Sequence, residues 1–128
     1  MKIAIPCRGD RGVAGHAGRA RRWLVFDGEQ GGPARLAEQI ELRPEQVFHH
    51  FNWSESHPLD GIEALITGSA GPGFVTKMRK RGIEVRVSSE GDAYKAAGDY
   101  LAGTLAPPPA PGLMQWFCRV RDMFSDHA

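Results

Sequence analysis

The segment Ile62–Val87, IEALITGSAGPGFVTKMRKRGIEVRV, sets the fold class because it has the pattern of a strand, a helix and a second strand. Ile62–Thr67 has strand character, and Ile83–Val87 alternates as a strand does. Between them, Pro72 is tolerated in the first turn of a helix, and Gly82 suits the position just past its end. This order predicts a parallel strand pair with a right-handed crossover, and therefore an α/β layer.

Upstream segments add strands to this layer. Lys2–Pro6 is expected to form a strand that ends at Pro6, because proline has no amide hydrogen to donate to the ladder. Arg22–Asp27 is a run of strand-forming residues closed by a glycine-rich turn. Ala34–Leu42 alternates weakly, which favours a third strand, with a helix as the competing interpretation. Arg43–Gly61 shows no clear period.

A second helix and a distinct C-terminal segment follow. The second helix is predicted from a stripe of small and apolar residues: Ala93, Ala96, Ala97, Tyr100, Leu101 and Leu105. A chain of 128 residues suits one main domain. We therefore expect an α/β domain over 1–106, a proline-rich linker over 107–112, and an amphipathic helix with a tail over 113–128.

Composition and charge argue against several functional classes. Hydrophobic residues make up 41% of the chain and charged residues 24%, which is typical of a globular protein. The net charge of +1 argues against a protein that coats nucleic acid through bulk charge. Cys7 and Cys118 lack a paired spacing, which disfavours a disulfide framework. No apolar run approaches the roughly 20 residues that cross a bilayer, so we expect no membrane association and a cytoplasmic location with reduced thiols.

Catalytic chemistry finds little support. Two-metal hydrolysis needs clustered carboxylates, and the first predicted strand carries none. A nucleophilic Cys7 beside a base is a weak alternative to an inert, buried thiol. The turn TGSAGPG lies between a strand and a helix, where it either receives an anion on backbone amides or is an ordinary connection. It lacks the spacing of a nucleotide-binding P-loop.

A metal-binding interpretation depends on imidazoles near positive charge. His16 is flanked by small residues and followed by three arginines, so this stretch is either a solvated loop or a pocket for an anion. The basic residues of Lys77–Arg81 instead suit the end of a helix. For His49 and His50, a structural role beside neighbouring phenylalanines competes with metal ligation. Imidazole and thiolate suit transition metals, and the candidate ligands are His16, His49, His50, His57 and Cys7.

The order of these motifs resembles the dinitrogenase iron-molybdenum cofactor biosynthesis family. The shared pieces are MKIAIP, GHAGRA, WLVFD, ALITGSAGPGFVTKMRKRGIEVRV and AYKAAGDYLAGTL, which span about Lys2–Leu105. The resemblance implies a ribonuclease H-like fold with a mixed sheet of about five strands flanked by helices. It also implies a non-enzymatic carrier or chaperone that binds an iron-sulfur or iron-molybdenum cluster precursor, with nitrogenase-assembly proteins as partners.

The loop motif of this family carries over to His16, Gly18 and Arg19. Ala17 stands where the family usually has an aromatic residue, and Val47–Pro58 departs from the family pattern. The predicted cofactor-binding residues are His16, Gly18, Arg19, Arg8 and Gly71, and the predicted metal ligands are His16 and Cys7. The bound cluster would lie near the loop Arg8–Arg22 and the turn Gly68–Gly73.

Two other functions compete with this carrier. An interaction or regulatory module of the same fold would bind no cluster and would dock on a partner protein through Leu113–Phe124. A hydrolase using Cys7 or scattered carboxylates is the weaker alternative.

Overall fold

The computed structural model describes residues 1–108, so the linker and terminal helix predicted over 107–128 lie almost entirely outside the described residues. Within 1–108 the regular elements are β1 (Lys2–Arg8), β2 (Gly12–Val13), β3 (Arg22–Asp27), β4 (Arg35–Glu41), β5 (Ala64–Thr67), α1 (Pro72–Lys80), β6 (Glu84–Val87) and α2 (Ala93–Ala102). Short 3-10 helices occupy Ala17–Arg19, Pro44–Gln46 and Phe48–His50. Neither α1 nor α2 has the length and apolar character needed to span a bilayer.

The strands form one mixed sheet in the order β4-β3-β1-β5-β6, with β2 paired to β1. Strand β3 runs antiparallel to both of its neighbours, β4 and β1. Strand β5 runs parallel to both of its neighbours, β1 and β6. The predicted α/β class and the parallel pair joined by a helix are confirmed. The described part of the chain has six strands rather than about five, because the two-residue strand β2 lies inside a segment predicted as loop.

The core consists of two apolar layers, one on each face of the sheet. Successive residues of β5 point to opposite faces: Ala64 and Ile66 pack on the side of α2, and Leu65 packs on the side of α1. The α1 face is also covered by the aperiodic segment between β4 and β5. Its buried apolar residues are Leu42, Val47, Phe48, Phe51, Leu59 and Ile62. This segment therefore acts as part of the core although it contains only 3-10 turns.

Two predicted boundaries are wrong. Strand β1 continues to Arg8, because the Pro6 carbonyl accepts from the Ala14 amide at 2.8 Å and this main-chain edge faces away from β3. The β1–β3 ladder therefore needs no amide hydrogen from Pro6. Helix α2 ends at Ala102 instead of reaching Leu105, since Gly103 adopts the left-handed conformation (φ 77°) that terminates helices. For 34–42, the strand interpretation is confirmed over the helix.

Candidate functional site

The two glycine-rich segments of the sequence lie in direct contact. The Gly68 amide donates to the Ala14 carbonyl at 3.3 Å. The Thr67 hydroxyl lies within hydrogen-bond distance of the same carbonyl oxygen, at 3.4 Å, and of the Ser69 carbonyl oxygen, at 3.2 Å. The Ser69 hydroxyl donates to the Gly15 carbonyl. A Cβ atom on Gly68 would lie 3.2 Å from the Gly15 Cα, so a larger residue here would require the Gly15 main chain to move by a few tenths of an ångström. The loop before β3 and the turn after β5 thus form one continuous surface.

The predicted loop residues lie at the end of this junction. His16 is exposed and immediately precedes the 3-10 helix Ala17–Arg19. Its side chain does not cap that helix with a hydrogen bond. Gly18 is buried within the turn, and Arg19 is exposed. Gly71 is the residue before α1, and no side chain within residues 1–108 caps that helix. The amide groups of its first turn are therefore left free of a side-chain acceptor.

A recess of about 300 Å³ opens where the 3-10 helix Ala17–Arg19, the 3-10 helix Phe48–His50 and the start of α1 come together. We call it the α1 recess. Among the described residues, none that lines it carries a carboxylate. The lining residues are Gly18, Phe48, His49, Phe51, Trp53, Gly73, Phe74 and Lys77. An ammonium group and an imidazole are thus its ionisable side chains, which favours a negatively charged guest.

Much of the positive charge in the first loop has a structural role. Arg11 pairs with Asp92 at 3.3 Å. Arg21 donates to the Leu42 carbonyl at 3.2 Å, and Arg22 donates to the Gly9 carbonyl at 3.3 Å. The side chains of Arg8 and Arg19 are exposed and have no hydrogen-bonding partner within 1–108. These two guanidinium groups remain available for an anion.

Cys7 lies apart from the α1 recess. Its half-buried side chain packs with the apolar layer of α2, whereas Ala17, next to His16, packs with the layer of α1. The Cys7 thiol donates to the Gly9 carbonyl at 2.9 Å. It lines a second recess of about 430 Å³, together with Arg22, Gln39, Glu41, Tyr94 and others. Within 1–108, no group of three or more histidine, cysteine or acidic side chains is arranged to hold a metal ion.

His57 has a structural role that the sequence left open. Its Nδ1 accepts from the Leu59 amide at 3.0 Å, so Nε2 carries the proton and donates to the Gln46 carbonyl at 2.7 Å. The ring stacks on Phe48 with centroids 4.2 Å apart. Burial lowers the pKa of His57 below its usual value. Both ring nitrogens are occupied, so His57 is not free to bind a metal.

Arg81 fixes the segment that carries the α1 recess. Its guanidinium contacts both Asp60 carboxylate oxygens, at 2.7 and 2.9 Å, and the carbonyls of Trp53 and Glu55 at 3.1 and 3.0 Å. Burial pushes the pKa of Asp60 upward, but the His57 amide and the Arg81 guanidinium bring it below its usual value. From the sequence, Arg81 is predicted only to favour the end of the helix. Its partner Asp60 lies about twenty residues earlier, and no local sequence pattern links the two.

Comparison with known proteins agrees with this architecture. The crystal structure of a protein designated PH0822 superimposes with a TM-score of 0.66 at 24% identity, covering 85% of this chain and 96% of the other. An NMR structure of a protein from Thermotoga, described as a putative NifB protein of the DUF35 family, superimposes with a TM-score of 0.55 at 20% identity. The match covers 83% of this chain and 91% of the other. The apo form of the orange protein from Desulfovibrio gigas superimposes with a TM-score of 0.55 at 21% identity, covering 86% of this chain and 94% of the other. These likenesses establish the fold.

The sequence itself identifies the family. No functionally curated protein matches the chain. Residues 1–103 match the family described as dinitrogenase iron-molybdenum cofactor, which confirms the resemblance drawn from the sequence motifs and points to a role in metal-cofactor assembly. The chain therefore belongs to the dinitrogenase iron-molybdenum cofactor family.

Proposed function

We propose that the protein is a non-enzymatic, cytoplasmic carrier or chaperone for an anionic iron-sulfur or iron-molybdenum cluster precursor. The observation that carries this proposal is the contact between the His16 loop and the turn before α1. It joins the loop that carries the exposed side chains of His16 and Arg19 to the turn that leads into α1, which supports a shared site.

The chemistry of this surface suits an anionic metal cluster. The positive end of the α1 dipole and its uncapped amides attract negative charge. Arg8 and Arg19 can form charge-assisted hydrogen bonds to it. His16 supplies a nitrogen ligand for an exposed metal. Cys7 stays in the proposal as a second metal ligand, which requires the cluster or the loop to reach toward the α2 side.

Family membership supports the assignment of the cargo and of nitrogenase-assembly proteins as partners. The order of the longer strands, with three antiparallel strands followed by two parallel strands, supports a ribonuclease H-like classification. We therefore keep both as parts of the proposal.

The test is the metal and sulfide content of the protein after anaerobic purification and after reconstitution with ferrous iron, molybdate and sulfide. We expect visible absorption and bound iron and sulfide in the wild-type protein, with a marked decrease in His16→Ala. His50→Ala removes another exposed imidazole and serves as the matched control. A wild-type protein that takes up neither metal nor sulfide would contradict the carrier function, and unchanged loading of His16→Ala would remove His16 from the site.

A further inference from the structure

We propose that the anionic cargo sits in the α1 recess, with the imidazole of His49 as a metal ligand and the ammonium group of Lys77 as its counter-charge. This inference rests on the proposed function, adds a ligand outside the His16 loop, and leaves Cys7, which packs with the α2 layer, out of the coordination. His49 belongs to the 3-10 helix Phe48–His50, in the segment for which the sequence showed no clear period.

The imidazole of His49 is available for coordination. Its side chain is exposed, lines the recess, and has no hydrogen-bonding partner within 1–108. His57 differs because it is buried and uses both ring nitrogens inside the protein. His50 has its ring 5.0 Å from that of His49 but is not among the residues that line the recess. His49 is thus the imidazole placed at the recess wall.

The charges of the recess favour a metal inside a negatively charged assembly over a bare cation. The Lys77 ammonium lies 5.2 Å from the Trp53 ring centroid, and this contact holds it beside the recess. No carboxylate among the described residues lines the recess to offset that ammonium. A bare divalent ion would be repelled there, whereas an iron-sulfide assembly presents both a metal for His49 and negative charge for Lys77.

The shape of the recess favours a compact inorganic guest. Its volume of about 300 Å³ lies at the lower limit for ligand pockets. Phe48, Phe51 and Phe74 line it but are only 4%, 8% and 6% exposed. Because these rings are buried in the core, they offer little area for stacking on a flat organic ligand.

The experiment compares anaerobic loading of matched variants by iron and sulfide analysis. The pairs are His49→Gln with His50→Gln, and Lys77→Gln with Lys80→Gln, and each protein receives ferrous iron either alone or with sulfide. We expect His49→Gln to weaken loading at least about tenfold and Lys77→Gln to weaken it less, with both controls unchanged. We also expect binding only when sulfide is present.

The outcomes separate this inference from the function on which it rests. Wild-type loading that His49→Gln leaves unchanged would overturn the inference while the carrier function stands. Equal binding of ferrous iron without sulfide would overturn the anionic guest. Absence of loading in the wild-type protein would remove both proposals. If His49→Gln fails to fold by circular dichroism, imidazole NMR of the wild-type protein decides: cluster loading should shift or broaden the His49 signals more than those of His50, and an equal or stronger effect on His50 would contradict the assignment.

Discussion

Arg81 shows how one side chain can hold an aperiodic segment in place. Its guanidinium binds Asp60 and two main-chain carbonyls, and its side chain is only 18% exposed. We expect Arg81→Gln to lower the free energy of unfolding by about 1–3 kcal/mol, because these acceptors lose a charged donor. Urea denaturation measures the change. Arg79→Gln, at an exposed position in the last turn of α1, is the control, with an expected change within about 0.5 kcal/mol.

His57 makes stability depend on pH in a defined direction. Since burial lowers its pKa in the folded protein, the unfolded chain binds a proton more readily. The stability contributed by neutral His57 is present above its usual pKa of 6.5 and is lost as the pH falls below that value. Urea denaturation between about pH 8 and pH 5 should show this loss. His57→Gln should flatten the dependence, and an equally steep profile in that variant would refute the assignment.

At the scale of elements, the junction between the two glycine-rich segments requires a close approach. We expect Gly68→Ala to lower the free energy of unfolding by about 1–3 kcal/mol, because the added Cβ would crowd the Gly15 main chain. If the proposed site is correct, cluster loading falls as well. Gly98→Ala is the control: a Cβ there meets open space within α2, so helix propensity should raise stability by about 0.5–1 kcal/mol. Thermal and urea denaturation distinguish the two.

The elements that sequence reasoning predicted are those whose residues repeat with the period of a helix or strand. Strand β3 was predicted with its observed bounds, and α1 was predicted from a proline at its start and a glycine beyond its end. The segment between β4 and β5 escaped prediction because its order comes from distant contacts such as Arg81 with Asp60. For the same reason His49 could be named as a candidate but not placed beside Lys77. The spacing of apolar residues along the sequence predicts helices and strands. A recess between them depends on how they pack together, which that spacing does not show.

At the scale of the whole molecule, residues 1–108 by themselves contain an apolar layer on each face of the sheet. We therefore expect a chain that ends at Pro108 to unfold cooperatively and to keep the loading of iron and sulfide. Calorimetry and metal analysis of this truncated protein, beside the full chain, provide the measurement. Loss of loading on truncation would place part of the site in 109–128 and would favour a docking role for that segment.

The contact of Gly68 with Ala14 joins chain positions that lie more than fifty residues apart, so the surface exists only after both halves of the sheet have assembled. A guest that touches both segments binds the native chain alone and raises its melting temperature by mass action. If the protein is the proposed carrier, opening this junction to release the cargo would break native contacts of both segments. Transfer of the cluster would then require a recipient protein that binds it more tightly. The direction of transfer would follow from the ratio of the cluster's dissociation constants for the carrier and for the recipient.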